Sequence, residues 1–425
     1  MDEDIEQPLG PGLSIEGGSS HHGVGRGSAG ENPALDLVKS ESDRMKTFYQ
    51  TVLSAIMAFI MAALSNYKDM KPLSSITSHN KAHLSNLLVA EGLFIFMTFL
   101  CAVVLVMLIF VYQNGRRGRA WCRVLIILIA VTGMMLIVAN TILLVVTNRN
   151  NTVLSVILAP ATVLVSLAGS SGACMGEQPT STLGSRYDEA MKRAFDTATV
   201  GTIVSFTLQG TVVFGYLKTP GRNQGKHDPP LDLAACYVAS TVSLAVMMVC
   251  AMPLALLPDG MLDVLITIVE RLRHAVLASL AMVALVVSVE FLDGFVVLSI
   301  FPDAIAMVLY YAVKLFSACQ PHEENSPLDF AFRIVATAGF TLMTGLYAAF
   351  LGIDHYNVYL KTAMFILLLA VLSSLSRLAI PVDMPEMGGA VEIGIAGVAL
   401  AFPLLALLAA IPLVLKVLVD HFVNR

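Results

Sequence analysis

Few side chains in this sequence combine a reactive type with a spacing that chemistry needs. Glu290 is the best candidate for a functional acid, because it closes a long apolar run where a carboxyl group can handle ions or protons. An acid just before a loop is, however, ordinarily a solvated helix end. His79 and His83 stand four apart, which puts both rings on one helix face, as in the histidine boxes of membrane di-iron oxygenases. Such a site needs further boxes, and the 9 His of the chain do not supply them. The His21-His22 pair lies among Gly and Ser and reads as linker before it reads as a metal site. No Gly-rich phosphate loop, serine nucleophile elbow or zinc spacing occurs. The sequence therefore predicts no enzyme, with no catalytic, cofactor-binding or metal residues and no cofactor.

The 6 Cys show no Cys-x-x-Cys spacing, and most fall inside apolar runs, which argues against a disulfide framework. Cys122, Cys174 and Cys319 fall at expected cytoplasmic helix ends, where S-acylation is sterically open. A small packing residue is the plainer reading. Asn140, Thr141 and Gln209 are the deep polar groups, of the kind that hydrogen-bond a neighbouring helix and hold a bundle together. Gly201 with Ser205, and Thr341 with Gly345, offer small faces for close helix approach. Pro160, Pro253, Pro403 and Pro412 are expected to kink their helices.

The elements that must carry these residues follow from composition. Hydrophobic residues make up 56% of the chain and charged ones only 13%, against about 25% in soluble domains, so too few charges remain to cover a water-facing surface. Mean hydropathy is +0.76 and no nucleic-acid footprint is visible. Residues 1–44 are polar, Gly-rich and acidic, and read as a disordered tail without a signal peptide. Apolar windows near the ~20 residues of a membrane span then recur to the end of the chain. About eleven are expected, near 47–66, 87–112, 124–147, 152–170, 197–217, 232–257, 274–292, 295–314, 331–352, 358–377 and 391–416. Asp293 and Gly294 leave almost no loop between the seventh and eighth, so a tight turn or re-entrant pair is expected there. Arg116, Arg117, Arg119 and Arg123 crowd the second loop, which places that loop and the N-terminus in the cytoplasm and makes the four Arg candidate contacts for lipid headgroups. An odd span count leaves the C-terminus outside. The sequon at Asn150-Asn151-Thr152 lies against two helix ends and is expected to be unmodified.

A repeat appears at an offset of about 145 residues. Met45-Lys46 matches Met191-Lys192, Asp43 matches Glu189, Tyr49 matches Phe195, Thr51 matches Thr197, and Ala173-Cys174 matches Ala318-Cys319. The expected fold is all-α: a polytopic transmembrane bundle of about eleven helices in 4+4+3 divergent repeats. Its parts are the tail 1–44, four-helix units over 45–175 and 186–319, and an incomplete three-helix unit over 327–425.

Within 186–319, Gly201-Thr202-Ile203-Val204-Ser205-Phe206 resembles the Gly-Thr-aliphatic-aliphatic-small-Phe pattern of the plant DMP family of four-helix membrane proteins. His274-Ala275, Asp293, Val296-Val297 and Phe301-Pro302 resemble that family's closing stretch, in the same order. Nothing here corresponds to the Arg-rich tail that usually closes the family. The resemblance implies a plant protein of the endoplasmic-reticulum or vacuolar membrane rather than the plasma membrane, linked to membrane remodelling. The expected partners are membrane lipids and, where the bundle self-associates, further copies of the chain. A secondary transporter or channel for a small solute is the alternative. Repeats and kinked helices suit it, but no obvious coupling group does.

Overall fold

A computed structural model describes residues 33–65, 81–114, 119–147, 183–218, 229–250, 259–302, 304–305, 328–350, 357–379 and 389–423. The α-helices among them are α1 (Pro33–Ser65), α2 (Lys81–Asn114), α3 (Arg119–Thr147), α4 (Leu183–Lys218), α5 (Pro229–Cys250), α6 (Asp259–Leu292), α7 (Leu328–Phe350), α8 (Val358–Ala379) and α9 (Gly389–Val423). The fourth window, 152–170, lies outside the described residues.

Several helices start well before their apolar windows. α1 runs from Pro33, inside the segment read as tail, and α4 from Leu183. The reason is an amphipathic pattern that precedes each span. Met45, Phe48, Tyr49, Val52 and Ile56 are all buried and recur at helical spacing, as do Tyr187, Ala190, Met191, Ala194, Phe195 and Ala198. Pro33 and Pro229 each open a helix, where their fixed φ suits the first turn and their missing N–H leaves nothing unpaired.

Contacts between helices set their directions. Glu41 meets Tyr187, Arg44 meets Asp188 and Phe48 meets Phe195, so α1 and α4 run parallel. The Lys46 ammonium sits 5.7 Å from the Phe110 ring centroid, which makes α2 antiparallel to α1. Ser279 of α6 donates to the Tyr237 carbonyl of α5 at 3.0 Å and lies 2.7 Å from Thr241 Oγ1, joining those two helices. Arg273 and His274 reach the last carbonyls of α8 while Lys361, in its first turn, is 3.6 Å from Asp293, so α8 is antiparallel to α6. Lys416 lies 3.9 Å over Tyr359, which turns α9 back along α8.

Glycines mark the tightest approaches. A Cβ on Gly201 would come 3.3 Å from both Thr241 Cγ2 and Val276 Cγ1, so α4, α5 and α6 close on one another there. The face of Thr341 and Gly345 behaves differently from its expectation: nothing lies within 4 Å of a Cβ on Gly345, and Thr341 is exposed. α7 meets α8 instead at Gly339, where a Cβ would stand 2.7 Å from Val371 Cγ2.

α6 ends in a 3-10 turn over Asp293–Phe295, with Asp293 in the left-handed region at φ 49°. Asp adopts that region more readily than most residues, because a short polar side chain is able to hydrogen-bond nearby backbone. Helix resumes over 296–302.

Two apolar cores result, and neither follows the expected unit boundaries. One joins α1, α2 and α3 to the N-terminal part of α4, the C-terminal half of α5 and the start of α6. The other joins the remaining parts of α4, α5 and α6 to α7, α8 and α9. The middle three helices therefore belong to both cores.

Five stretches among the described residues are long and apolar enough to cross a membrane: Gly92–Val111, Asp263–Pro302, Phe330–Tyr347, Val358–Ala379 and Ala401–Asp420. Large apolar side chains such as Leu93, Phe96, Val104 and Met107 of α2 face outward, as lipid contact requires. The chain is all-helical over these residues, and its apolar helices fit an integral membrane protein.

Candidate functional site

The chemistry of the molecule gathers where α1, α4 and α7 enter their apolar windows. Ahead of Thr47 on α1 stand Glu41, Asp43 and Arg44; ahead of Thr197 on α4 stand Arg186, Asp188, Glu189, Lys192, Arg193 and Asp196. The apolar stripe of each helix packs against its neighbour, which forces the flanking charged positions together.

Arg44 binds Asp188 twice, through Nη1 to the backbone carbonyl at 2.7 Å and through Nη2 to the carboxylate at 2.9 Å. Arg193 holds Glu189 one turn back on α4, and Arg333 of α7 pairs with Asp196. Arg186 stands 3.8 Å from Asp263 of α6. Beneath this layer the Tyr187 hydroxyl donates to the Glu41 carboxyl, and both side chains are buried. Burial pushes the Glu41 carboxyl up to about 7, against the lowering influence of the Tyr187 hydrogen bond and of Arg44. Burial, then the Glu41 charge, holds the Tyr187 phenol well above its ordinary range.

Between α1 and α4 the layer opens into a cleft of about 610 Å³. Asp43, Arg44, Asp188, Glu189, Lys192 and Asp196 line its charged part, and Thr47, Phe48, Phe195 and Thr199 its inner part. The rings of Phe48 and Phe195 meet edge to face with centroids 6.2 Å apart. The arrangement presents carboxylates, cations and aromatic rings within one opening. Ion pairs to Arg44, Arg193 and Arg333 already hold Asp188, Glu189 and Asp196, and no group of metal-ligating side chains occurs among the described residues.

A second polar contact ties α6 to α8. The buried Arg273 side chain donates to the Leu378 carbonyl, and His274 Nε2 lies 3.0 Å from the Ala379 carbonyl. Those carbonyls have no further turn to bond, and the cation also meets the negative end of the helix dipole.

Most residues singled out from the sequence stand apart from this layer. Glu290 is half-buried near the opposite end of α6. Thr141 donates to the Ile137 carbonyl on its own helix at 2.8 Å. Ser205 is buried beside Gly201 on α4, and its hydroxyl has no hydrogen-bond partner among the described residues. Asn140, Gln209, Arg119, Cys122, Arg123 and His83 lie on helices, with side chains outside the described residues; Arg116, Arg117, Cys174, Cys319 and His79 lie outside them altogether. The charged layer is not marked as a site by any residue type or spacing in its own stretch of sequence. The one signal it carries is the match of Asp43-Met45-Lys46 to Glu189-Met191-Lys192, which marks equivalent charged turns.

No known protein family, characterised protein or solved structure matches the chain. The functional reading therefore rests on geometry and on the residues themselves.

Proposed function

We propose that this protein is a multi-pass scaffold that shapes the membrane it occupies, in the endoplasmic-reticulum or vacuolar membrane of a plant cell, with its N-terminal charged layer on the cytoplasmic face. The observation that carries this reading is the division of polar groups. Ionic contacts gather ahead of the spans, whereas buried hydroxyls inside the helices, among them Thr98, Thr202, Ser288, Thr344 and Ser374, bond carbonyls four residues back on their own helix. Hydroxyls satisfied in this way offer little to a passing solute. The parallel alignment of α1 and α4, each the first helix of a proposed unit, supports the 4+4+3 arrangement of about eleven spans. The resemblance to the DMP family supports the organelle and the remodelling role.

Raising expression in plant cells should distort endoplasmic-reticulum or vacuolar membranes. Changing Arg116, Arg117 and Arg119 to Gln should weaken that effect while insertion is preserved. A second reading, transport of a small solute, is favoured by the charged cleft and by Pro403 and Pro412 within α9. Unchanged membranes at high expression, together with solute uptake by liposomes carrying the protein, would replace the first reading by the second.

A further inference from the structure

The end of α1 that precedes its apolar window is fastened differently from the rest of the helix. Over 41–46 the buried residues are Glu41, Ser42 and Met45, so two of the three side chains that seat this stretch are polar. Beyond Lys46 the contacts are apolar, with Phe48, Tyr49, Val52 and Ile56 all buried. The span is therefore held by packing that ignores charge. The turns ahead of it depend on polar contacts to α4.

Those contacts centre on one carboxyl. Glu41 accepts from the Tyr187 hydroxyl of α4, and both side chains are buried. Asp188 faces it from α4 as a like charge, and Arg44, three residues along its own helix, is near enough to lower its proton affinity. Arg44 also binds Asp188, 2.7 Å from the backbone carbonyl and 2.9 Å from the carboxylate, and so ties α1 to α4. Next along α4, Arg186 lies 3.8 Å from Asp263 of α6, and Lys46 of α1 lies over Phe110 of α2.

A neutral Glu41 fits this seat, since a protonated carboxyl accepts from Tyr187 and buries no charge. An ionised one does not. It sets a second negative charge beside Asp188 in a buried site, and at i, i+3 spacing it competes with Asp188 for the Arg44 guanidinium. We propose that Glu41 is a proton-operated latch: with its carboxyl protonated the end of α1 ahead of Thr47 docks on α4, and loss of that proton to solvent releases this end while the span stays packed.

The direction of the switch follows from linkage. Burial raises the docked carboxyl from 4.5 to about 7, and release returns it to water. Docking is thus strongest below pH 4.5, weakens by about tenfold per unit as pH rises to about 7, and changes no further above that.

The latch adds regulation to the scaffold reading and does not rest on it. Full-length protein in nanodiscs would be followed by hydrogen–deuterium exchange between about pH 5 and 8.5, with rates corrected for intrinsic chemistry. Protection over 41–47 should fall about tenfold per pH unit up to neutrality and then level off, while 48–56 stays more protected throughout. Glu41→Gln, neutral at every pH, should keep the high protection and flatten the profile. Tyr187→Phe removes a hydrogen bond that favours the ionised carboxyl, so its profile should level off at higher pH than wild type, whatever its overall stability. Wild-type protection that ignores pH, a fall that survives in Glu41→Gln, or 41–47 and 48–56 opening together would each overturn the latch. A Tyr187→Phe profile that levels off where wild type does would overturn it as well.

Discussion

Glu41 shows how one side chain couples helix packing to pH. Its carboxyl is buried between α1 and α4 and accepts from Tyr187, and burial raises it from 4.5 to about 7. The folded protein therefore holds the Glu41 proton more tightly than the unfolded chain does. That contribution is fully present below pH 4.5 and is lost as pH rises to about 7. Purified protein should accordingly melt at a lower temperature at neutral pH than under mildly acidic conditions. Glu41→Gln, which keeps a neutral acceptor for Tyr187, should flatten this dependence and raise the neutral-pH melting temperature. An unchanged slope in thermal melts of the variant would show that another group sets it. In the sequence Glu41 is one more acid in a polar segment, and nothing local marks it as buried. Its environment is made by α4, whose Tyr187 lies far along the chain.

Among the helices, the pairing of α7 with α8 rests on one missing side chain. A Cβ at Gly339 would stand 2.7 Å from Val371 Cγ2, and valine has little rotamer freedom with which to yield. Gly339→Ala should cost about 1–3 kcal/mol, as overpacking in a tight core does. Val371→Ala removes the obstructing methyl groups. Combined with Gly339→Ala it should cost clearly less than the sum of the two single changes, and a double-mutant cycle of melts in detergent reads the difference. Strict additivity would mean that the helices do not meet there. The sequence shows small residues on α7 at several positions, and Thr341 with Gly345 fits a small-residue face as well as Gly339 does. Which glycine touches α8 depends on how α7 is rotated in the bundle.

The whole molecule is organised around α4, α5 and α6, which contribute to both cores. A fragment covering 186–319 includes the membrane-length stretch Asp263–Pro302 and should insert, but it leaves both of its packing faces uncovered. It should resist alkaline extraction and yet be digested faster in detergent than the same region of the full chain. Equal digestion would mean that the unit is complete without its neighbours. Orientation is a property of the same scale. The Lys46 contact with Phe110 puts the end of α2 at the same end of the bundle as the charged layer. That end should face the cytoplasm, because the four clustered Arg that follow α2 or open the next helix, Arg116, Arg117, Arg119 and Arg123, oppose translocation. In sealed microsomes a tag beside Arg117 should be digested and one near Lys71 protected; the reverse pattern would invert the topology.

Sequence alone determined the class of the protein and the rough location of most helices. Both follow from local arithmetic: a helix rises about 1.5 Å per residue, so ~20 apolar residues span hydrocarbon, and few charges leave no water-facing surface. It also placed a break at Asp293 and Gly294, since an acid and a glycine together interrupt an apolar run. Tertiary structure decided which polar groups form a site. Arg44 with Asp188, Asp196 with Arg333, and Arg273 with the end of α8 are each brought together across more than a hundred residues. A charge pattern says that such residues lie at a helix end. Only the direction, rotation and register of packed helices say which of them touch, because those are set by how side chains interlock across the whole bundle.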